Sequence, residues 1–349
     1  MQKKIESIRL LRFPLAVFVV MEHTLPHYIN SDIKPITYLL FDTLLRGNNV
    51  PVFFFISGFL LFNTDVWNSN VWLGKIKRRI HTLFIPYLIW NIYAILILWI
   101  VIKGMHIMHI EDGYVFTPSL QNIFNCFWTY DGSLSGVPAL PMFPINVATW
   151  YIRDLMLLCL ASLLIYRALK KAAVPTLVII AAAWLFTNLY ATTSLFFFTF
   201  GAYFGIHRKT LPVLSGRTAA ACLVLYILSA AVAWLNPELL EHDAFLYIKK
   251  INIITFLFVA FYASAHIKAP RHATFLSGAS VFLFLAHQPV CGKIDKFIIH
   301  VLKPHDEIRL TAINLLSVTI TVVSILVIYR LLQRYAPRTL QFLTGKNRA

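Results

Sequence analysis

Arg12, Glu22 and His23 share one apolar segment near the start of the chain, where each charge is costly unless it faces the protein interior or a water-filled space. Arg12 and His23 are eleven residues apart, which on a helix is three turns plus about 20°, with about 16 Å between them along the axis. They therefore share a face at different depths. Neutral imidazole is the usual general base near neutral pH, and His23 suits that role. Glu22 lies about 100° round the helix from His23 and cannot reach Arg12. Three roles stay open for it: an ion pair with another helix, a neutral buried carboxyl, or a part in catalysis. His287, in LAHQP, stands about twelve residues into another apolar run, at a depth similar to His23, and is expected to orient a substrate or assist the base. Ser57, in ISGF, has the hydroxyl of a nucleophile, but the small pair Ser57 and Gly58 is more simply a close helix contact. Trp150, Arg153 and Asp154 stand together at the start of a further run, suited to binding an acceptor or to anchoring the helix at an interface. Adjacent residues point about 100° apart, so no salt bridge between Arg153 and Asp154 is expected. Lys75, Lys77, Arg78 and Arg79 form a basic run that suits phosphate groups or simply sets orientation. The cysteines at 126, 159, 222 and 291 have no metal-ligand spacing, and neither a disulfide framework nor a metal site is expected.

The elements that position these residues follow from composition. Of 349 residues, 58% are apolar and 13% charged, against about 45 to 50% and about 25% in soluble domains. The net charge of +16 comes from short clusters between apolar runs, which fix orientation in a membrane and argue against nucleic acid. Glu22 and His23 within the first apolar run, with no small-residue cleavage site after it, mark a retained helix and not a signal peptide. Runs of about 20 apolar residues predict an all-α, polytopic membrane protein with about ten transmembrane helices. They lie near 8–28, 45–63, 82–103, 148–166, 174–190, 193–207, 218–235, 251–267, 275–292 and 311–333. With the N-terminus inside, cytoplasmic segments hold twenty-one of the 31 Lys and Arg residues. The outer segments hold nine, namely Lys34, Arg46, Lys103, Lys249, Lys250, Lys293, Lys296, Lys303 and Arg309, and Arg153 stands apart. This asymmetry predicts both termini in the cytoplasm, in a single membrane domain over 1–349. The longest connection, outer residues 104–147, carries Trp128, Thr129, Tyr130 and Asp131, suited to stacking on a sugar or to an interfacial helix.

Several stretches then match one family in type and order. Arg12 to His23 in LRFPLAVFVVMEH resembles the first-helix motif of the membrane-bound acyltransferase family 3. VPVFFFISGFLLF at 50–62 is similar to its second-helix signature, and KIKRR before IHTLFIPYLIW at 75–90 to the start of its third helix. There the family's paired arginines appear with lysine and a shifted spacing. TWYIRDLMLL at 149–158, GAYFGIHRK at 201–209 and FLFLAHQPV at 282–290 also match. The resemblance implies transfer of an acyl group, most often acetyl, from acetyl-CoA or another acyl-CoA to a hydroxyl of a glycan or lipid-linked sugar in the cell envelope. It places the protein in the inner (cytoplasmic) membrane and needs no metal. His23 would be the general base, aided by His287. Arg12 would position the donor, and Lys75, Arg78 and Arg79 would hold its phosphates at the cytoplasmic rim. Glu22, Ser57, Trp150 and Arg153 complete the expected binding residues. A covalent acyl-histidine relay is an alternative course. The rival reading is a transporter or flippase for a polar solute, with Arg12, Glu22, His23, Asp154 and His287 along its pathway.

Overall fold

A computed structural model describes residues 2–24, 41, 43–64, 66–107, 119–128, 143–236, 243–288 and 290–345, and these residues form helices and turns with no strand among them. Helix α1 (Gln2–His23) contains Pro14, whose missing N–H leaves a gap in the backbone ladder, between residues 10 and 14, across the middle of the helix. α1 packs against α2 (Asn49–Phe62), α9 (Asp243–His266), α10 (Ala273–Ala286) and α12 (Glu307–Tyr335), so its charged face is surrounded by other helices.

The closest packing joins α2 to α7 (Tyr190–Ile206). It depends on glycine. A Cβ on Gly58 would run into the Phe198 carbonyl, one on Gly201 into the Phe55 carbonyl, and one on Gly205 would stand 2.7 Å from the Phe59 carbonyl oxygen. Lipid is as apolar as these side chains, so close backbone approach and ring packing hold such helices together. Around the glycines, Phe54, Phe55, Phe59, Phe62, Phe197, Phe198 and Phe261 are among the largest fully buried side chains.

Helix α3 (Ser69–Arg79) is capped by the Asn68 side chain, which accepts from the Val71 N–H at 2.9 Å, and its last turn carries Lys77, Arg78 and Arg79. Cations there complement the helix dipole. A π-helical turn, Ile80–Phe84, leads into α4 (Ile85–Ile107). After α5 (Leu120–Trp128) and a 3-10 turn at Val147–Thr149 comes α6 (Trp150–Phe186), with a non-helical residue at Ala172. The chain continues through α8 (Gly216–Leu235), α9, α10, α11 (Val290–Leu302), α12 and the short α13 (Pro337–Thr344). α10 and α11 are turned 76° from each other.

Each of the ten expected intervals falls mostly on a helix, but fewer meet the length and apolarity of a bilayer span. Among the described residues five helical stretches do: Ser69–Ile100, Val147–Phe186, Gly216–Leu235, Phe245–His266 and Glu307–Tyr335, with a sixth if α10 and α11 form one broken span. The differences have local causes. α1 holds Glu6, Arg9, Arg12 and Glu22, while α2, α7 and α10 have 14, 17 and 14 residues. The intervals expected at 148–166 and 174–190 fall on the two arms of α6, which meet at a kink at the non-helical Ala172, just after Arg167, Lys170 and Lys171. At 37 residues, α6 exceeds the roughly 20 residues that one crossing needs, and the kink divides it into two shorter arms.

Candidate active site

His23 ends α1 and lines a cavity of about 820 Å³ together with Glu22, Trp150, Trp184 and Tyr190. The ring of His287 lies 5.2 Å from that of His23, centroid to centroid, at 37°. The fold thus brings the two histidines side by side. His287 follows the last residue of α10 and is fully buried. Its Nδ1 is 3.2 Å from the Leu283 carbonyl oxygen, which only accepts, so Nδ1 holds the proton and Nε2 of the neutral ring keeps its lone pair. Among the described residues Nε2 has no hydrogen-bond partner. The His287 carbonyl accepts from the Val290 and Cys291 N–H groups at 3.0 and 2.9 Å, starting α11 there. Cys291 Sγ in turn lies 3.7 Å from the His23 carbonyl.

Glu22 reaches a partner on another element: Asn49, in the first turn of α2, donates to its carboxylate. Arg46 and Lys249 are also within electrostatic range of Glu22. The turn before α2 is held by Asn48, which donates to Asn252 Oδ1 at 2.5 Å, and by Tyr226, whose hydroxyl donates to the Leu44 carbonyl at 2.5 Å. On the opposite wall, Asn146 donates to the Trp90 carbonyl at 3.2 Å and its own N–H donates to Asn91 Oδ1 at 3.2 Å. This buried web fixes the start of α6 and hence Trp150, whose ring lies 5.2 Å from Tyr190 and 5.9 Å from Phe54.

Arg12 stands about three turns from His23 along α1. Among the described residues it has neither a carboxylate nor a hydrogen-bond partner. It lies within electrostatic range of the Tyr151 hydroxyl, as does Arg79. Ser57 Oγ is 2.8 Å from that same hydroxyl, so the serine is tied to Tyr151 and not to a base. Lys75 donates to the Leu61 carbonyl at 2.5 Å and lies over Trp67, while Arg78 is exposed on α3.

The expectation that Arg153 and Asp154 would not pair is corrected. Arg153 Nη2 and Nε lie 2.9 and 3.1 Å from Asp154 Oδ1. Directions at Cβ are 100° apart, but the long arginine side chain folds back over its neighbour. Arg153 also donates to the Trp128 carbonyl at 2.7 Å and lies over the Trp128 ring, while Asp154 accepts from Ser194 at 2.9 Å. These contacts tie α5, α6 and α7 together. Thr129, Tyr130 and Asp131 lie outside the described residues. No group of three His, Cys, Asp or Glu able to hold a metal occurs among the described residues.

The family model of an acyltransferase domain matches residues 5–331. The chain belongs to the acyltransferase 3 family. Among curated proteins, this acyltransferase family member is 26% identical over 188 residues to the succinoglycan biosynthesis protein ExoH of Rhizobium meliloti (strain 1021), covering 50% of this chain and 47% of the relative. The chain thus spans about half the length of the curated relative it matches. No solved structure matches.

Tyr151, Asn49 and Asn146 are not among the residues that the sequence marks, and Lys249 is there only as a cation of an outer segment. Tyr151 stands within the WYIRD block, and a hydroxyl one residue from Trp150 was the available signal.

Proposed function

We propose that the protein moves an acyl group from a coenzyme A thioester at the Arg12 face to a hydroxyl of a glycan or lipid-linked sugar in the His23 cavity. The observation that carries this reading is the placement of His23 on an aromatic-walled cavity with His287 behind it. Family membership favours acyl transfer over the rival transport reading. His23 accepts the hydroxyl proton as the oxygen attacks the thioester carbonyl; the C–S bond breaks, and the thiolate leaves and takes up a proton. His287 holds the base in place. Trp150 and Tyr190 offer flat faces for a sugar ring. Arg12 and Arg79 supply cations for phosphate or carbonyl oxygens of the donor, with Lys75, Lys77 and Arg78 toward the solvent. The cation asymmetry supports ten crossings of the inner membrane, both termini cytoplasmic, with the donor entering from the cytoplasm and the acceptor from outside.

Purified protein given acetyl-CoA and a glycan fraction from the source cells should release free thiol in step with ester-linked acetyl on the glycan. Arg12→Lys should raise the donor concentration needed, since an ammonium lacks the planar fork of donors. Thioester loss equal to that of a protein-free control across all fractions overturns the reading.

A further inference from the structure

We infer that a groove between α1, α9 and α10 holds one acyl chain of an anionic phospholipid, with the lipid phosphate bound by Arg9. The groove is independent of the acyl-transfer reading, none of whose residues line it.

Its volume is about 370 Å³, and among the described residues that line it Arg9 alone is charged; Ser264 and Ser277 are polar and the rest are apolar. Small side chains leave the space open. Ala260, Ala263 and Ser264 share one face of α9, three and four residues apart, and Ala273 and Ser277 line the groove from α10. On α1, Leu10 and Pro14 both line it, so the gap in the backbone ladder of that helix falls along the groove.

The two ends differ in chemistry. Glu22 and His23 of α1 share the active-site cavity with Lys249 and Ile253 of α9, while Arg9 shares the groove with Ile267. The two helices are therefore antiparallel, and Arg9 stands at the Ile267 end. Lys268 and Arg271, both exposed, follow Ile267 in the connection to α10. Arg9 Nε is buried and has no hydrogen-bond partner among the described residues. Glu6 lies 3.9 Å from Arg9 Nη2 with both side chains half exposed, a surface pair of the kind that contributes little. The planar fork of N–H groups on Arg9 is thus suited to phosphate oxygens. The opposite end, at Phe18 and Phe256, is wholly apolar.

Arg9 and Phe18 are nine residues apart, about 14 Å along a helix, close to the roughly 15 Å of hydrocarbon in one leaflet. A slot of that depth with one cationic end fits a fatty chain hung from an anionic headgroup, and basic pockets between membrane helices bind such headgroups. A sugar or nucleotide would meet only two serine hydroxyls beyond Arg9. A helix of another chain, about 10–12 Å across, needs far more than this volume.

The test uses the full chain in a nonionic detergent with a phosphatidylglycerol that carries a diazirine midway along one acyl chain. After illumination, labelled peptides are quantified by mass spectrometry. Peptides covering 10–18 and 256–267 should label. Unlabelled phosphatidylglycerol should compete there about fivefold better than phosphatidylcholine with the same chains, the factor that one cation at a membrane surface supplies. The exposed face of α8, at Leu223, Val224 and Leu225, reports chance contact with lipid and should show no such preference. Arg9→Gln should reduce the preference at the groove to that of α8, while Arg9→Lys keeps it. Ala263→Trp fills the groove and should cut its labelling about tenfold or more, the loss expected when two or more methylenes are excluded, with α8 unchanged. Equal competition by phosphatidylcholine, an unchanged preference in Arg9→Gln, or full groove labelling in a folded Ala263→Trp overturns the proposal. Displacement by palmitoyl-CoA but by neither phospholipid assigns the groove to a donor chain and overturns it as well. If Ala263→Trp does not fold, the Arg9→Gln result decides alone.

Discussion

Removing the His23 imidazole leaves His287 in place with nothing between it and the cavity, so His23→Ala separates the roles of the two rings. A general base contributes about a hundredfold to ten-thousandfold. His23→Ala should therefore retain less than about one per cent of acyl transfer while the protein still inserts in the membrane. Ser57→Ala removes only a hydroxyl partner of Tyr151, a net loss of about 1 kcal/mol in stability. It should remain active, and labelled acyl donor should leave no ester on the protein. An inactive Ser57→Ala with a stable acyl-serine in wild type would transfer the chemistry to the serine. Residue by residue, legibility followed sequence distance. Arg12, Glu22 and His23 stand on one helix, as their shared apolar run led one to expect. Ser57 and Tyr151 are 94 residues apart, and nothing in either segment alone joins them. Arg153 and Asp154 were misjudged because a direction at Cβ does not limit a side chain with four rotatable bonds.

Among the elements, α2 and α7 bear the tightest constraint. Gly201 packs on the Phe55 backbone, and a carbonyl cannot move aside as a side-chain tip does. Gly201→Leu should force the two helices apart, and overpacking of this kind costs about 1–3 kcal/mol or more. The expected result is a lower melting temperature in detergent and loss of activity together. By contrast, Gly74→Leu, at a position with open space around it, should change neither. Normal melting of Gly201→Leu would show that the helices pack differently. The existence of most helices was legible because long apolar runs leave the backbone no other way to satisfy its polar groups in lipid. Their number of crossings was less so. The charges that make α1 chemically interesting also make it a poor span by composition, while the break at Ala172 in α6 has a local cause in Pro175, whose ring clashes with the preceding turn.

At the scale of the whole molecule, orientation is the testable property. On a background with its four cysteines replaced by alanine, His305→Cys should react in intact cells with a thiol probe that cannot cross the membrane. Lys77→Cys should react only after lysis. Both residues are exposed, so access and not burial decides the outcome. Labelling of Lys77→Cys in intact cells reverses the proposed orientation, and with it the side from which the donor enters.

The helix α13 bears on the basic end of α3, where Lys77, Arg78 and Arg79 stand. Trp90 Nε1 donates to the Leu343 carbonyl at 2.9 Å, and Gly345, in the left-handed region at φ 63°, closes α13. A Cβ on Gly345 would stand 2.6 Å from Thr82 Cα in the π-helical turn that follows Arg79. Leu343 and Gly345 thus clasp α4 and the turn that follows the cations of α3. A frameshift or stop codon just before residue 337 would leave every membrane helix translated and still strip that clasp away. In the gene, such a late lesson in truncation would read as a loss of donor handling and not as a harmless trimming of the tail.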